Sequence, residues 1–194
     1  TIRGGGGDDN ITIAGTDAPP DVIEGGTGTD TITVAGVTAL TLENFSAGSA
    51  EIEIWTGNGF AVLGTTKNNT LDFSGLTTLN GVLYVDGGTG NDTIKAHAAG
   101  GSGMDLRGGA GDDTLIGSSA ADKLDGGDGE DSLEGGAGND TSLKGGLGND
   151  TIFGDDGNDT ITGGAGKHLM DGGEDDDAYL VTGTDGQFDI GKDT

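Results

Sequence analysis

Between Leu115 and Tyr179 a large apolar residue returns every nine positions: Leu115, Leu124, Leu133, Leu143, Ile152, Ile161, Met170 and Tyr179, with a single step of ten. That spacing fits neither the 3.6-residue stripe of a helix nor the sustained alternation of a long strand. Triplets such as Thr151-Ile152-Phe153 and Thr160-Ile161-Thr162 put one side chain inward and two outward, as a three-residue strand does. The six residues before each triplet mostly open with Gly-Gly-x-Gly, which suits a tight turn and lets neighbouring chains approach closely. Turn and strand in alternation predict an all-β fold, a parallel solenoid of the β-helix kind. Two units close one coil of about eighteen residues, and successive coils stack two thin parallel sheets around a narrow apolar filling.

Between 34 and 86 the glycine rule lapses. Glu51-Ile52-Glu53-Ile54 and the pair Leu40 and Leu42 alternate at period two, and Trp55, Phe60, Phe73 and Tyr84 gather here. This reads as longer strands with irregular turns in the same solenoid. Helices are not expected, because Gly, Thr, Asn and Asp are poor helix formers. The chain thus divides into N-terminal coils at 1–33, irregular coils at 34–86, regular coils at 87–181, and a tail or start of a further module at 182–194.

Acidic residues obey the same period. Units beginning at Gly108, Gly117, Gly126, Gly135, Gly145, Gly154, Gly163 and Gly172 carry Asp113, Asp122, Asp131, Asp140, Asp150, Asp159 and Asp177 in the sixth place, with His168 substituting once. Earlier units from Gly4, Gly25 and Gly87 put Asp9, Asp30 and Asp92 there, and the parallel between 13–26 and 115–127 makes Asp21 the counterpart of Asp122. Two weaker copies carry Asn69 and Met104 instead, and these loops are expected to favour an ion less.

Coiling would bring every second turn onto the same edge, about 4.8 Å apart. One edge then holds Asp92, Asp113, Asp131, Asp150 and His168, the other Asp122, Asp140, Asp159 and Asp177, while Asp9 stacks on Asp30. Carboxylates that close repel by about 1 kcal/mol per pair even at the dielectric constant of water. Calcium resolves the conflict, since it takes six to eight oxygen ligands in irregular geometry. Backbone oxygens of the turns complete such a cage, so the glycines at places one, two and four are expected beside the aspartates. These are Gly108, Gly109, Gly111, Gly126, Gly127, Gly129, Gly135, Gly136, Gly138, Gly145, Gly146, Gly148, Gly154 and Gly157. Magnesium demands a tighter octahedron, and zinc would lack cysteine ligands. Several calcium ions are therefore the expected cofactor.

Composition sharpens this picture. Glycine occupies 44 of 194 positions without a three-residue period, which excludes collagen. At 31% apolar and a net charge of −26 the chain would ordinarily be disordered, so cations must offset the charge if it folds. The same charge excludes nucleic acid and anionic membrane surfaces as partners, and no apolar run is long enough for membrane insertion. Cysteine is absent, which removes disulfides and thiol catalysis. Neither histidine lies in an HExxH context and no elbow-type GxSxG occurs, so no catalytic residue is assigned and the chain is not read as an enzyme. Opening at Thr1, it reads as a segment of a longer protein.

The unit GGxGxDxUx, with U a large apolar residue, resembles the repeats-in-toxin (RTX) calcium-binding nonapeptide, almost without interruption from 108 to 180. The resemblance implies a parallel β-roll, calcium in stacked turns, and a secreted or cell-surface location. RTX tracts occur in exported proteases and lipases, toxins, epimerases, adhesins and surface-layer proteins. The expected role is accordingly a structural module that folds on calcium after export, with assembly in an adhesin or surface layer, or a non-catalytic part of a polysaccharide-modifying enzyme, as alternatives. Self-association and contact with a cell surface or polysaccharide are the further partners implied. Two departures stand out: His168 weakens the last site of its edge, and Asp155 and Asp156 disturb the turn that begins at Gly154.

Overall fold

The computed structural model describes residues 2–14, 23–97, 102–180 and 188–190; Asp21 and most of the 182–194 tail lie outside the described residues. The chain opens with β1 (Ile2–Gly6), β2 (Asn10–Ala14), β3 (Ile23–Thr27) and β4 (Thr31–Ala35). Then come β5 (Ala39–Thr41), β6 (Asn44–Ser46), a one-turn helix α1 (Ala47–Ala50), β7 (Ile54–Thr56), β8 (Phe60–Leu63), β9 (Thr70–Asp72), β10 (Thr78–Leu79), β11 (Val82–Thr89) and β12 (Thr93–Lys95). The regular part consists of β13 (Asp105–Ala110), β14 (Thr114–Ser118), β15 (Lys123–Asp128), β16 (Ser132–Ala137), β17 (Ser142–Leu147), β18 (Thr151–Asp156), β19 (Thr160–Ala165), β20 (His168–Asp171), β21 (Ala178–Tyr179) and β22 (Phe188–Ile190).

All of these strands pair in parallel with strands one coil away. Two eight-stranded sheets run in the orders β21-β19-β17-β15-β13-β11-β8-β5 and β22-β20-β18-β16-β14-β12-β9-β6. From β13 onward, consecutive strands alternate between the two sheets, so each coil has two faces. Leu106 pairs with Leu124 and Leu124 with Leu143, a coil of eighteen or nineteen residues.

The earlier coils differ from the two-faced pattern. There β2, β4, β7 and β10 form a separate four-stranded sheet, and each coil from β4 to β12 visits three faces. Ile32 pairs with Trp55 and Leu71 with Ile94, twenty-three residues on in each case, so the added length becomes a third short strand and its corner. A wider coil encloses more space, which the aromatics fill. Phe45 meets Trp55 edge-on at 4.7 Å between ring centres, and Trp55 stacks on Phe60 at 6.3 Å. In the two-faced coils a single file suffices, Leu106, Leu124, Leu143 and Ile161 facing Leu115, Leu133, Ile152 and Met170, all buried. Burial of such a side chain contributes about 1.5–3 kcal/mol. The helix α1 was not expected; its two alanines favour it locally, and it stops at Glu51, whose φ of 54° is left-handed.

Candidate metal centre

Each turn of the regular coils uses its glycines for two different reasons. Gly109 and Gly111 hold φ of 114° and 127°, a region that side chains with a Cβ rarely enter, and a Cβ on them would also run into the Gly88 and Gly90 carbonyl oxygens of the preceding coil. Gly108 is glycine because of crowding: a Cβ there would stand 2.5 Å from the Gly126 carbonyl oxygen of the next coil and run into the Asp113 carboxylate. At Gly126 the Gly145 carbonyl and Asp131 crowd the same point, and at Gly145 the Gly163 carbonyl and Asp150. Carboxylate and carbonyl oxygens of successive coils therefore converge at the first place of every such turn. Asp155 occupies the second place of its turn with φ 72°, in register with Gly136, so the turn is kept by straining a residue that has a Cβ.

The sixth-place residues stack in ladders immediately ahead of the strands. On one edge the Asn69 N–H donates to Asp92 Oδ1 at 2.6 Å, Asp92 N–H to Asp113 at 2.7 Å, Asp113 N–H to Asp131 at 2.8 Å and Asp131 N–H to Asp150 at 3.0 Å. His168 ends it, its Nδ1 accepting from the Asp150 N–H at 3.3 Å. On the other edge Met104 N–H donates to Asp122 Oδ1, Asp122 N–H to Asp140, Asp140 N–H to Asp159 and Asp159 N–H to Asp177, at 2.5–2.8 Å. A third, N-terminal ladder runs from Asp9 N–H to Asp30 Oδ1 at 2.8 Å and from Asp30 N–H to Glu53 Oε2 at 2.7 Å. Glu53 was not anticipated as a rung, since its segment reads as alternating strand and carries no glycine turn. The fifth place forms an outer, exposed ladder too: Glu130 N–H donates to Asp112 Oδ1, and Asn149 Nδ2 to Glu130.

Beyond the first rung of the N-terminal ladder each aspartate has one oxygen engaged by the rung before it, and most of the second oxygens are stranded. Oδ2 of Asp9, Asp30, Asp92, Asp113, Asp131, Asp140 and Asp159 is buried and accepts no hydrogen bond from the described residues. Asp122 is an exception, its Oδ2 taking the Ser118 N–H and hydroxyl at 2.7 and 2.9 Å, and Asp150 Oδ2 faces His168 Nδ1. Burial foremost, with the charges of the rungs on either side adding to it, pushes the Asp113 and Asp140 carboxyls up to about 7. Asp131 rises to about 6, again by burial first and then the charge of Asp150. Asp92, Asp150 and Asp159 are raised as well, burial being the main cause.

A family model for the RTX calcium-binding nonapeptide repeat matches residues 20–35, 84–99, 107–141 and 144–179, four copies that together span a little over half of the chain. The chain belongs to this family. No curated protein and no solved structure matches it.

As an RTX β-roll the chain binds calcium in multiple repeats, and its donor set fits that ion: hard oxygens only, from carboxylates and backbone carbonyls, in turns that crowd them together. The stranded Oδ2 atoms are the groups that lack a partner, and a divalent cation supplies one to carboxylates on both sides. The ladders stop where this donor set fails. Asn69 is neutral and already saturated, accepting from Thr65 N–H at 2.6 Å and donating to the Glu43 carbonyl at 2.7 Å. Met104 has no oxygen, and His168 turns Nδ1 to within 3.2 Å of Asp150 Oδ2.

Proposed function

We propose that Asp92, Asp113, Asp131 and Asp150 on one edge, Asp122, Asp140, Asp159 and Asp177 on the other, and Asp9 and Asp30 at the N-terminal edge hold calcium together with the turn carbonyls. The protein then serves as a structural segment of a secreted protein that folds when it meets calcium outside the cell. The run of buried, unpartnered Oδ2 atoms carries this reading. Such carboxylates must be gathered and neutralised at once, so ion binding and folding become one equilibrium. With a net charge of −26 the metal-free chain repels itself and stays expanded, a form suited to export. Extracellular modules bind calcium with dissociation constants of about 10⁻⁴ to 10⁻³ M, which an external medium satisfies and a cytosol does not. The RTX repeat itself is non-catalytic. Circular dichroism tests the reading: the parallel-strand spectrum forms on adding calcium and disappears with a chelator, and a spectrum indifferent to both refutes it.

One face favours a second reading, assembly with another copy. Asp86, Arg107, Asp125 and Lys144 lie side by side across neighbouring strands, a row of alternating sign on a chain with only 8 basic residues. An antiparallel second copy opposes every charge of that row with its opposite, the arrangement of an isologous dimer. Leu147, 55% exposed, stands beside it. Sedimentation in calcium would then show a dimer that weakens with salt and is lost in Arg107→Glu; a salt-independent monomer excludes this face.

A further inference from the structure

We propose that Glu53 is a calcium ligand, forming with Asp30 a site on the N-terminal ladder that the nonapeptide pattern does not reveal; this rests on the calcium reading of the other rungs. Glu53 lies outside every matched repeat. Its position is nevertheless that of a sixth-place aspartate. Thr31 pairs with Ile54 and Asn10 with Thr31, so Glu53 immediately precedes β7 as Asp30 precedes β4 and Asp9 precedes β2. The backbone repeats too: Thr31 N–H donates to the Asp9 carbonyl at 2.8 Å, and Ile54 N–H to the Asp30 carbonyl at 3.0 Å.

The turn above it is rebuilt to the same end by different residues. A Cβ on Gly25 would meet the Asp30 carboxylate and the Glu51 carbonyl, just as one on Gly108 would meet the Asp113 carboxylate and the Gly126 carbonyl. Glu51, in its left-handed conformation, thus supplies the carbonyl that a repeat takes from its first glycine. From there the repeat needs five residues to reach its carboxylate, whereas here it needs two, and the extra methylene of glutamate over aspartate extends the reach.

A capping role alone does not account for a charged group. At the corresponding end of the next ladder His168 accepts the Asp150 N–H through Nδ1 at 3.3 Å and brings no second carboxylate. Glu53 instead sets a second carboxylate on the Asp30 backbone N–H as the next rung, and Asp30 is fully buried with Oδ2 unpartnered. Carboxylates stacked as successive rungs, with a buried oxygen left unpartnered, call for a cation between them.

Trp55, the chain's single tryptophan, is two residues from Glu53, within about 7 Å along the backbone, and reports on this site by energy transfer to bound Tb³⁺. The test titrates Tb³⁺, and calcium in competition, into the wild-type protein, Glu53→Gln and Glu53→Ala. Glutamine keeps an acceptor for the Asp30 N–H but removes the charge. Both variants are expected to weaken tryptophan-sensitised binding by about tenfold or more, and to lower the calcium stoichiometry in equilibrium dialysis by one ion. A variant of an exposed strand residue in a distant coil and on no ladder, Glu134→Gln, leaves the tryptophan-sensitised curve in place. If Glu53→Gln titrates like wild type and only Glu53→Ala is impaired, Glu53 is a cap and the proposal falls while the other rungs stand. If the wild-type protein itself binds neither ion, the calcium reading as a whole falls.

Discussion

At the scale of the residue, Asp113 shows the conflict that governs the molecule: one oxygen is fixed by the Asp92 N–H, and the other is buried without a partner. In the metal-free fold burial raises this carboxyl to about 7, as it does Asp140, against about 4 in an unfolded chain. Between those values the fold holds protons that the unfolded chain has released, so its stability falls as pH rises from 4 to 7. In EDTA, where the chain is unfolded at neutral pH, acidification towards pH 4 should therefore recover strand signal in circular dichroism, while the calcium-loaded roll loses ions over the same interval because protons compete for the ligands. Asp155 bears a different strain. Asp155→Gly removes a left-handed Cβ from the second place and should stabilise the protein by about 1 kcal/mol, measured by chemical denaturation at saturating calcium. The repeated aspartates were legible because the period fixes them. Glu53 was not, since a carboxylate of another length at the end of a shortened turn leaves no mark in the spacing.

The unit at the scale of the element is a turn plus a strand of mostly six residues, longer than the triplet expected because it runs on through the first glycines of the next unit, and its weak point is the first glycine. Gly145→Ala would press a Cβ onto the Gly163 carbonyl at 2.7 Å and onto the Asp150 carboxylate, both parts of the same ion cage. Backbone there cannot swing aside without breaking the ladder, so calcium affinity should drop together with stability, a loss visible as fewer ions bound and an earlier melt. Gly5→Ala, at φ 116° with nothing within 4 Å of the added Cβ, strains φ alone and should cost about 1–2 kcal/mol with the stoichiometry intact. Calorimetric titration of the two variants separates crowding from conformation. Strands in the regular coils could be read directly from single apolar residues nine apart. The third face could not, because strands such as Ile54–Thr56 and Thr78–Leu79 are too short to show a period and their corners have no common composition. Helix α1 was hidden for a similar reason, four residues being too few for a stripe.

Across the whole molecule the two kinds of coil divide the sources of stability. Three-faced coils bury Trp55, Phe60 and Phe73, whereas two-faced coils have one apolar side chain per strand and a dense file of carboxylates. Hydrogen exchange during calcium withdrawal should show amides of β14 to β20 losing protection first and those of β7 to β9 last; simultaneous loss would mean that the sheets act as one cooperative block. The narrowing from twenty-three residues per coil to eighteen also has a mechanical meaning. Pulled from its ends, the tapered rod should yield at its slender portion, reeling out slack in short steps while the stout portion keeps its anchorage, and should wind up again once the surrounding brine restores its ions.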